Sequence, residues 1–345
     1  MNKLKKITML SLSMLLILAL ISACSLVDDI LGNSSYEPPK PPVETNEPDD
    51  PDDPVIIIVP PEEPPLVREP AIPIVLMPVA SGTHIEKNDK AIIDYSNTAD
   101  GYVMIKWLKD TTKQLRVQVT GPSGITYTYL LFPNGDFIVV PLSDGNGTYE
   151  VRVFEQVTDD KYALANSLTT NVSLKDEFAP FLRPNQYVNF DENSDIVKKA
   201  ASLVSKGDTL LEKIAAIYEF VITTLTYDTK FAEEVIAGMH KNYIPVLDDV
   251  LARRYGVCLD YAALMTGMLR SQGIPTKLVE GYAGEVHHAW INVHSEETGW
   301  IDQVIFFDGE NWMMMDPTFA ASAGSSTNLA AFIGDGGNYS VMFLR

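Results

Sequence analysis

Between Ala91 and Val172 the chain breaks into short apolar runs rich in β-branched and aromatic residues. They are Ala91–Tyr95, Tyr102–Trp107, Leu115–Thr120, Ile125–Leu131, Phe137–Val140, Thr148–Phe154 and Leu164–Val172. Turn sequences separate them, among them Gly121-Pro122-Ser123-Gly124, Pro133-Asn134-Gly135 and Asp144-Gly145-Asn146-Gly147. In Thr148–Phe154 the alternation puts Tyr149, Val151 and Val153 on one face. About seven short strands with regular turns predict an all-β, immunoglobulin-like sandwich. After Asn193 the period changes from two to 3.6. Ser194 or Asn193 can cap a helix running through Ser205, with Gly207 as its stop. Asp208 or Thr209 opens the next helix, whose Leu211, Ile214, Ala215, Tyr218, Val221, Ile222 and Leu225 share a face, and Tyr227-Asp228 ends it. Phe231 to Arg254 is mixed, with a short helix over Val246–Arg253. The run Cys258–Gln272 reads as a buried helix, stopped by Gly273-Ile274-Pro275. Lys277–Tyr282, Ala289–Val293, Trp300–Phe306 and Asn311–Met315 read as strands. Helices followed by a mostly antiparallel sheet make this second domain α+β.

The first seventy residues carry neither period. Lys3, Lys5 and Lys6 precede an apolar run from Ile7 to Ile21, too short and too abruptly ended for a membrane span. The run closes on Ile21-Ser22-Ala23-Cys24, which looks like a bacterial lipobox. That assigns 1–23 as a signal peptide and Cys24 as a lipidated new N-terminus, tethering the protein to the outer face of a bacterial membrane. From 24 to 70 the chain is proline-rich and acidic, a linker that cannot build a core. Fully extended at about 3.1 Å per residue, it reaches on the order of 140 Å. The domain limits that follow are 71–175 for the β-sandwich and 176–345 for the α+β domain. Between them Phe178 and Phe181 in the segment Asp176–Asn185 suggest a bridge that packs rather than swings.

Charge then narrows the function. The formal net charge is −20, and loss of the three leader lysines takes it to −23. Phosphate contact needs a basic surface, so nucleic acid is not an expected partner. The chain has two cysteines, and a lipidated Cys24 leaves Cys258 with no disulfide partner within it.

Cys258 follows Tyr255-Gly256-Val257 and stands in the first turn of its predicted helix, where the helix dipole favours a thiolate. Taken alone, a lone cysteine is more often a small buried hydrophobe. Two further stretches change that balance. In His287-His288-Ala289-Trp290-Ile291-Asn292-Val293, strand alternation turns Ala289, Ile291 and Val293 to the core and His288 away from it. His288, rather than His287, is thus the candidate base. In Trp312-Met313-Met314-Met315-Asp316-Pro317-Thr318, Asp316 stands at a strand end, held extended by Pro317. A thiolate nucleophile, an imidazole that exchanges the proton and a carboxylate that orients it form a workable catalytic set. The Cys258 N–H supplies one oxyanion donor; Tyr227, Asn242 and Tyr243 are guesses for a second.

Gly256-Val257-Cys258-Leu259-Asp260-Tyr261-Ala262, then His288-Ala289-Trp290, then Asp316-Pro317-Thr318, resemble the three signature blocks of the transglutaminase-like superfamily. The whole layout resembles the surface-anchored transglutaminase-like lipoproteins of Firmicutes. The resemblance covers roughly Asn193 to Phe319 and implies a papain-related fold, with Cys258 as nucleophile, His288 as general acid/base and Asp316 as its orienting partner. It does not imply the reaction, since the superfamily holds cross-linkers, peptidases, amidases and inactive scaffolds. The calcium sites and additional domains of the animal enzymes have no visible counterpart, and no cofactor or metal is expected. The expected function is an extracellular, lipid-anchored cysteine enzyme acting on peptide or amide bonds of a protein or peptide substrate, such as a wall peptide or surface protein. Hydrolysis is favoured over glutamine transamidation because water is abundant outside the cell. A non-catalytic surface-binding module is the reading of a different class.

Overall fold

A computed structural model describes residues 69–345 apart from positions 134, 206, 208, 297–298, 302–304, 308–311 and 315–338. The expected signal peptide, Cys24, nearly all of the expected linker and Asp316 therefore lie outside the described residues.

The β-domain is built from β1 (Ile85–Lys87), β2 (Ala91–Asp94), β3 (Tyr102–Trp107), β4 (Leu115–Thr120), β5 (Thr126–Leu131), β6 (Ile138–Pro141), β7 (Gly147–Thr158) and β8 (Lys161–Val172). They form two four-stranded antiparallel sheets, ordered β1-β2-β3-β6 and β5-β4-β7-β8. One core lies between them. Ile93, Val103, Ile105 and Trp107 of the first sheet meet Val117, Val119, Tyr129, Tyr149, Val151 and Val153 of the second. The alternation seen in the sequence is what makes this possible: Tyr149, Val151 and Val153 are all buried, while Glu150 between them is exposed. The sequence pattern located β2 to β8 and missed β1, whose three residues are exposed or half-buried and so carry no apolar signal.

The α+β domain has five helices among the described residues: α1 (Asp195–Val204), α2 (Leu210–Thr224), α3 (Thr229–Ile236), α4 (Leu247–Arg253) and α5 (Cys258–Arg270). Helix α2 starts as its sequence suggests. The Thr209 hydroxyl accepts from the Glu212 N–H at 3.2 Å, and the Glu212 carboxylate accepts from the Thr209 N–H at 2.9 Å. Helix α1 is capped across space, its Ile196 N–H donating to Asp248 of α4 at 3.0 Å. Helix α5 is enclosed on all sides, with every residue from Asp260 to Arg270 buried. It packs against α1, α2 and α4 and against a sheet made of β11 (Thr276–Ala283), β12 (Val286–Ser295), β13 (Gly299–Ile301) and β16 (Tyr339–Leu344). This sheet is antiparallel throughout, in the order β13-β12-β11-β16. Two small pairs complete it: β9 (Thr226–Tyr227) parallel to β10 (Tyr255–Gly256), and β14 (Ile305–Phe307) antiparallel to β15 (Trp312–Met314).

The two domains meet over a broad, mixed interface. The bridge packs as its aromatics suggested: Phe178 lies 4.1 Å from the His294 ring, and Phe181 meets Trp300 edge-on at 5.4 Å. Lys277 Nζ sits 3.6 Å above the Trp300 ring, closing that cluster. On the other side β16, paired with β11, also reaches the β-domain: Phe343 packs on its core, and Ser143 donates to the Leu344 carbonyl at 2.6 Å. Residues at the start of the predicted sandwich belong to the other core. Ala71 and Val75 pack on the helical domain, and the Ile74 N–H donates to the Ser271 carbonyl at 2.8 Å.

Candidate active site

Cys258 is the first residue of α5, half-buried, and a free thiol. Val257 before it is extended, with φ −101° and ψ 177°, so the chain enters the helix at the cysteine itself. The first-turn amides of a helix have no intrahelical acceptor. Two are met locally: Asp260 and Tyr261 N–H both donate to the Val257 carbonyl, at 2.8 and 3.2 Å. Among the described residues nothing accepts from the Cys258 amide, which leaves it available as an anion donor.

The turn that carries Cys258 is held by a polar cluster the sequence did not reveal. The Asp260 side chain has no exposed surface. Its Oδ2 accepts from the Val257 N–H at 2.8 Å, and its Oδ1 accepts from Arg253 Nη2 at 2.9 Å and from the Tyr243 hydroxyl. Arg253 Nη2 also donates to the Tyr243 oxygen at 2.8 Å. Burial pushes the Asp260 carboxyl above its usual range, and the bonds from Tyr243, Val257 and Arg253 work against that rise. Gly256 is required by this cluster, because a Cβ there would stand 2.5 Å from Asp260 Oδ2. Gly256, Val257 and Asp260 of the signature block thus act as one physical unit. One signal for it was present: an acid three residues after an N-cap is half of a capping box.

Tyr243 is corrected as an oxyanion donor, since its hydroxyl hydrogen is spent on Asp260. Asn242 is exposed, and Tyr227 is half-buried in β9. The stretch between Tyr227 and Tyr243 contains the unforeseen helix α3, capped by Asp228, whose carboxylate accepts from the Phe231 N–H at 2.9 Å. No residue of α3 is buried, and the spacing of Phe231, Ala232, Val235 and Ile236 over two turns is the signal that could have found it. The backbone N–H of Asp228 donates to the Gly256 carbonyl at 2.9 Å, so both ends of the 228–243 segment are tied to residues flanking Cys258.

His288 lies on β12, paired opposite Gly281, with 5% of its surface exposed. Alternation sorted this strand as expected, with Ala289, Ile291 and Val293 in the core shared with α5. The opposite face is not open. His288 stacks on Trp290 with ring centres 6.3 Å apart, and Tyr339 of β16 stands edge-on to Trp290 at 5.1 Å. His287 is exposed. Thus the structure gathers the elements bearing Cys258 and His288 around one core, with Cys258 itself packed on it. Among the described residues no group of three His, Cys, Asp or Glu is placed to hold a metal ion.

A helix headed by a free cysteine, laid across an antiparallel sheet that carries a buried histidine, defines the class of this domain. Residues 197–317 match the family model described as the transglutaminase-like superfamily. An uncharacterized Bacillus subtilis protein, YebA, is 22% identical over 243 residues, covering 59% of this chain and 32% of YebA. The chain therefore spans about a third of that relative's length. Among solved structures, a Cytophaga hutchinsonii protein described as a candidate cysteine protease is 15% identical, with a TM-score of 0.36, over 76% of this chain and 74% of that one. The periplasmic domain of TgpA from Pseudomonas aeruginosa is 16% identical, with a TM-score of 0.28, over 68% of this chain and 97% of that domain.

Proposed function

We propose that the chain is a cysteine enzyme in which Cys258 attacks a peptide or amide carbonyl, His288 exchanges the proton and Asp316 orients His288. One observation carries this reading. The free cysteine heads a buried helix with its own amide uncommitted, inside the segment that matches the transglutaminase-like superfamily. Attack by Sγ would place the developing oxyanion next to that amide, where a fixed donor is worth most. Collapse of the adduct would break the C–N bond, the amine or ammonia leaving with the proton returned by His288, and the acyl-enzyme left behind would be cleaved by water to the acid and the restored thiol. Hydrolysis is the reaction proposed, on a protein or peptide outside the cell. The protein would be held there by a lipid on Cys24, with the β-domain as an immunoglobulin-like spacer.

The test is alkylation by iodoacetamide at pH 6. Cys258 should react faster than free cysteine, and His288→Ala should remove the advantage. A rate equal to that of free cysteine would sink the reading. Incubation with casein and a labelled amine, with Cys258→Ala as blank, separates the outcomes. Release of new peptide amines, or of ammonia with no label incorporated, supports hydrolysis, and incorporated label would make the reaction a transamidation.

A further inference from the structure

Asp260 is a buried carboxylate two residues from Cys258, with three donors converging on its two oxygens. What these bonds fix is the Val257 backbone: the carboxylate holds the Gly256–Val257 peptide, and the Asp260 and Tyr261 amides hold the Val257–Cys258 peptide next to it. The Val257 N–H is held by Asp260 Oδ2, and the Val257 carbonyl is held by the Asp260 and Tyr261 amides. That carbonyl and the Cys258 N–H belong to one planar, trans peptide, so they point in opposite directions. With the carbonyl aimed into the helix, the Cys258 N–H is aimed out of its end. We propose that Asp260 is a positioning residue that holds the Cys258 N–H in the direction from which it stabilises the oxyanion. Arg253 and Tyr243 hold Asp260 in turn, and Gly256 leaves room for its carboxylate. The inference rests on the acyl-transfer reading of Cys258.

Only a carboxylate fits this place. An amide at position 260 would present one acceptor oxygen and one NH2 group, so at least one of the three donors would face another donor. Asp260→Asn should therefore loosen the Gly256–Val257 peptide, and through Val257 the direction of the Cys258 N–H, while changing little of the side-chain volume.

Two reactions of the same sulfur separate positioning from general damage. In alkylation by iodoacetamide, Sγ–C forms and C–I breaks, and no oxyanion arises. With 4-nitrophenyl acetate, Sγ–C forms as the thiol proton passes to His288, the ester C–O bond breaks, and 4-nitrophenolate leaves. Water then cleaves the thioester to acetate and restored thiol. The experiment compares the pre-steady-state release of 4-nitrophenolate at saturating ester with the alkylation rate, in wild type, Asp260→Asn and Tyr243→Phe, with Cys258→Ala as blank. Removing a negative charge near the sulfur does not by charge alone slow a thiolate. Asp260→Asn should keep alkylation within about threefold of wild type while acylation falls about 10- to 100-fold, toward the effect of losing an oxyanion donor. Tyr243→Phe, a milder change, should shift the ratio about threefold in the same direction. An unchanged ratio in either variant, or equal losses in both reactions, overturns the positioning role. A wild type no faster than Cys258→Ala with the ester overturns the enzyme reading itself, and the positioning role with it.

Discussion

Arg270 Nη2 donates to the Arg345 carbonyl at 2.6 Å and so ties the last turn of the Cys258 helix to the residue that follows β16. The same guanidinium donates through Nε to the Thr276 carbonyl at 2.9 Å and through Nη1 to the Arg183 carbonyl at 2.8 Å. One fully buried side chain therefore joins α5, the start of β11, the interdomain bridge and the chain beyond β16. Arg345 extends the tie, pairing with Glu280 and lying 4.1 Å over Tyr187 and 5.0 Å over Tyr129 of the β-domain.

Arg270→Met should take one donor from each of these three carbonyls, of which Arg345 keeps the Leu278 N–H, and cost ~3 kcal/mol. Arg270→Lys should recover only part, because one ammonium cannot span the three acceptors. Urea denaturation of the three proteins measures this, and equal midpoints would show that the tie contributes nothing.

Gly281 is where β16 crosses β11 at a register shift. A Cβ there would collide with the Ser340 carbonyl and stand 2.7 Å from the Trp290 ring. Gly281→Ala should destabilise the domain by about 2 kcal/mol. Amide hydrogen exchange should localise the loss to β16, and unchanged protection of Tyr339–Leu344 would contradict it.

Lys90 and Glu155 bridge the two sheets of the β-domain at 2.8 Å. The hydrogen bond from Lys90 holds the Glu155 carboxyl below its ordinary range, and the same bond raises Lys90. A lowered carboxylate pKa contributes stability that is present above the unfolded value and is lost as pH falls through the folded one. Lys90→Met should thus flatten stability against pH below the usual carboxylate range. The effect at neutral pH should be small, about 0.5 kcal/mol, because Lys90 is partly exposed. Denaturation at several acidic pH values reads the slope, and parallel curves for the two proteins would discount the pair.

The proposed lipid on Cys24 has its own test. Intact-mass measurement on the membrane fraction should find a chain beginning at Cys24 and carrying acyl mass. A soluble product beginning at another residue would remove the anchor from the proposal.

Much of the secondary structure was readable before any fold was known, and the misses share a cause. Strands β2 to β8 announced themselves because each buries one face between two sheets. Helix α5 did so because it is apolar all round. Segment β1 was silent because it buries too little to leave a pattern, and α3 went unread because its apolar stripe lasts only two turns. Strand β16 went unread because its pairing with β11 depends on chain folded back from far away in sequence.

The candidate site divides in the same way. Sequence by itself determined most of the strands and helices, the helices-then-sheet character of the second half, and the types and spacing of Cys258, His288 and Asp316, because periodicity and short motifs are local properties of the chain. Only the tertiary structure decided that Tyr243, Arg253 and the Val257 amide converge on Asp260, that His288 stacks on Trp290 beside Tyr339 of β16, and that Arg270 holds four segments together. Those contacts join residues up to 87 positions apart. A buried charge takes whatever partners the packed chain brings to it, and no local pattern encodes which those will be.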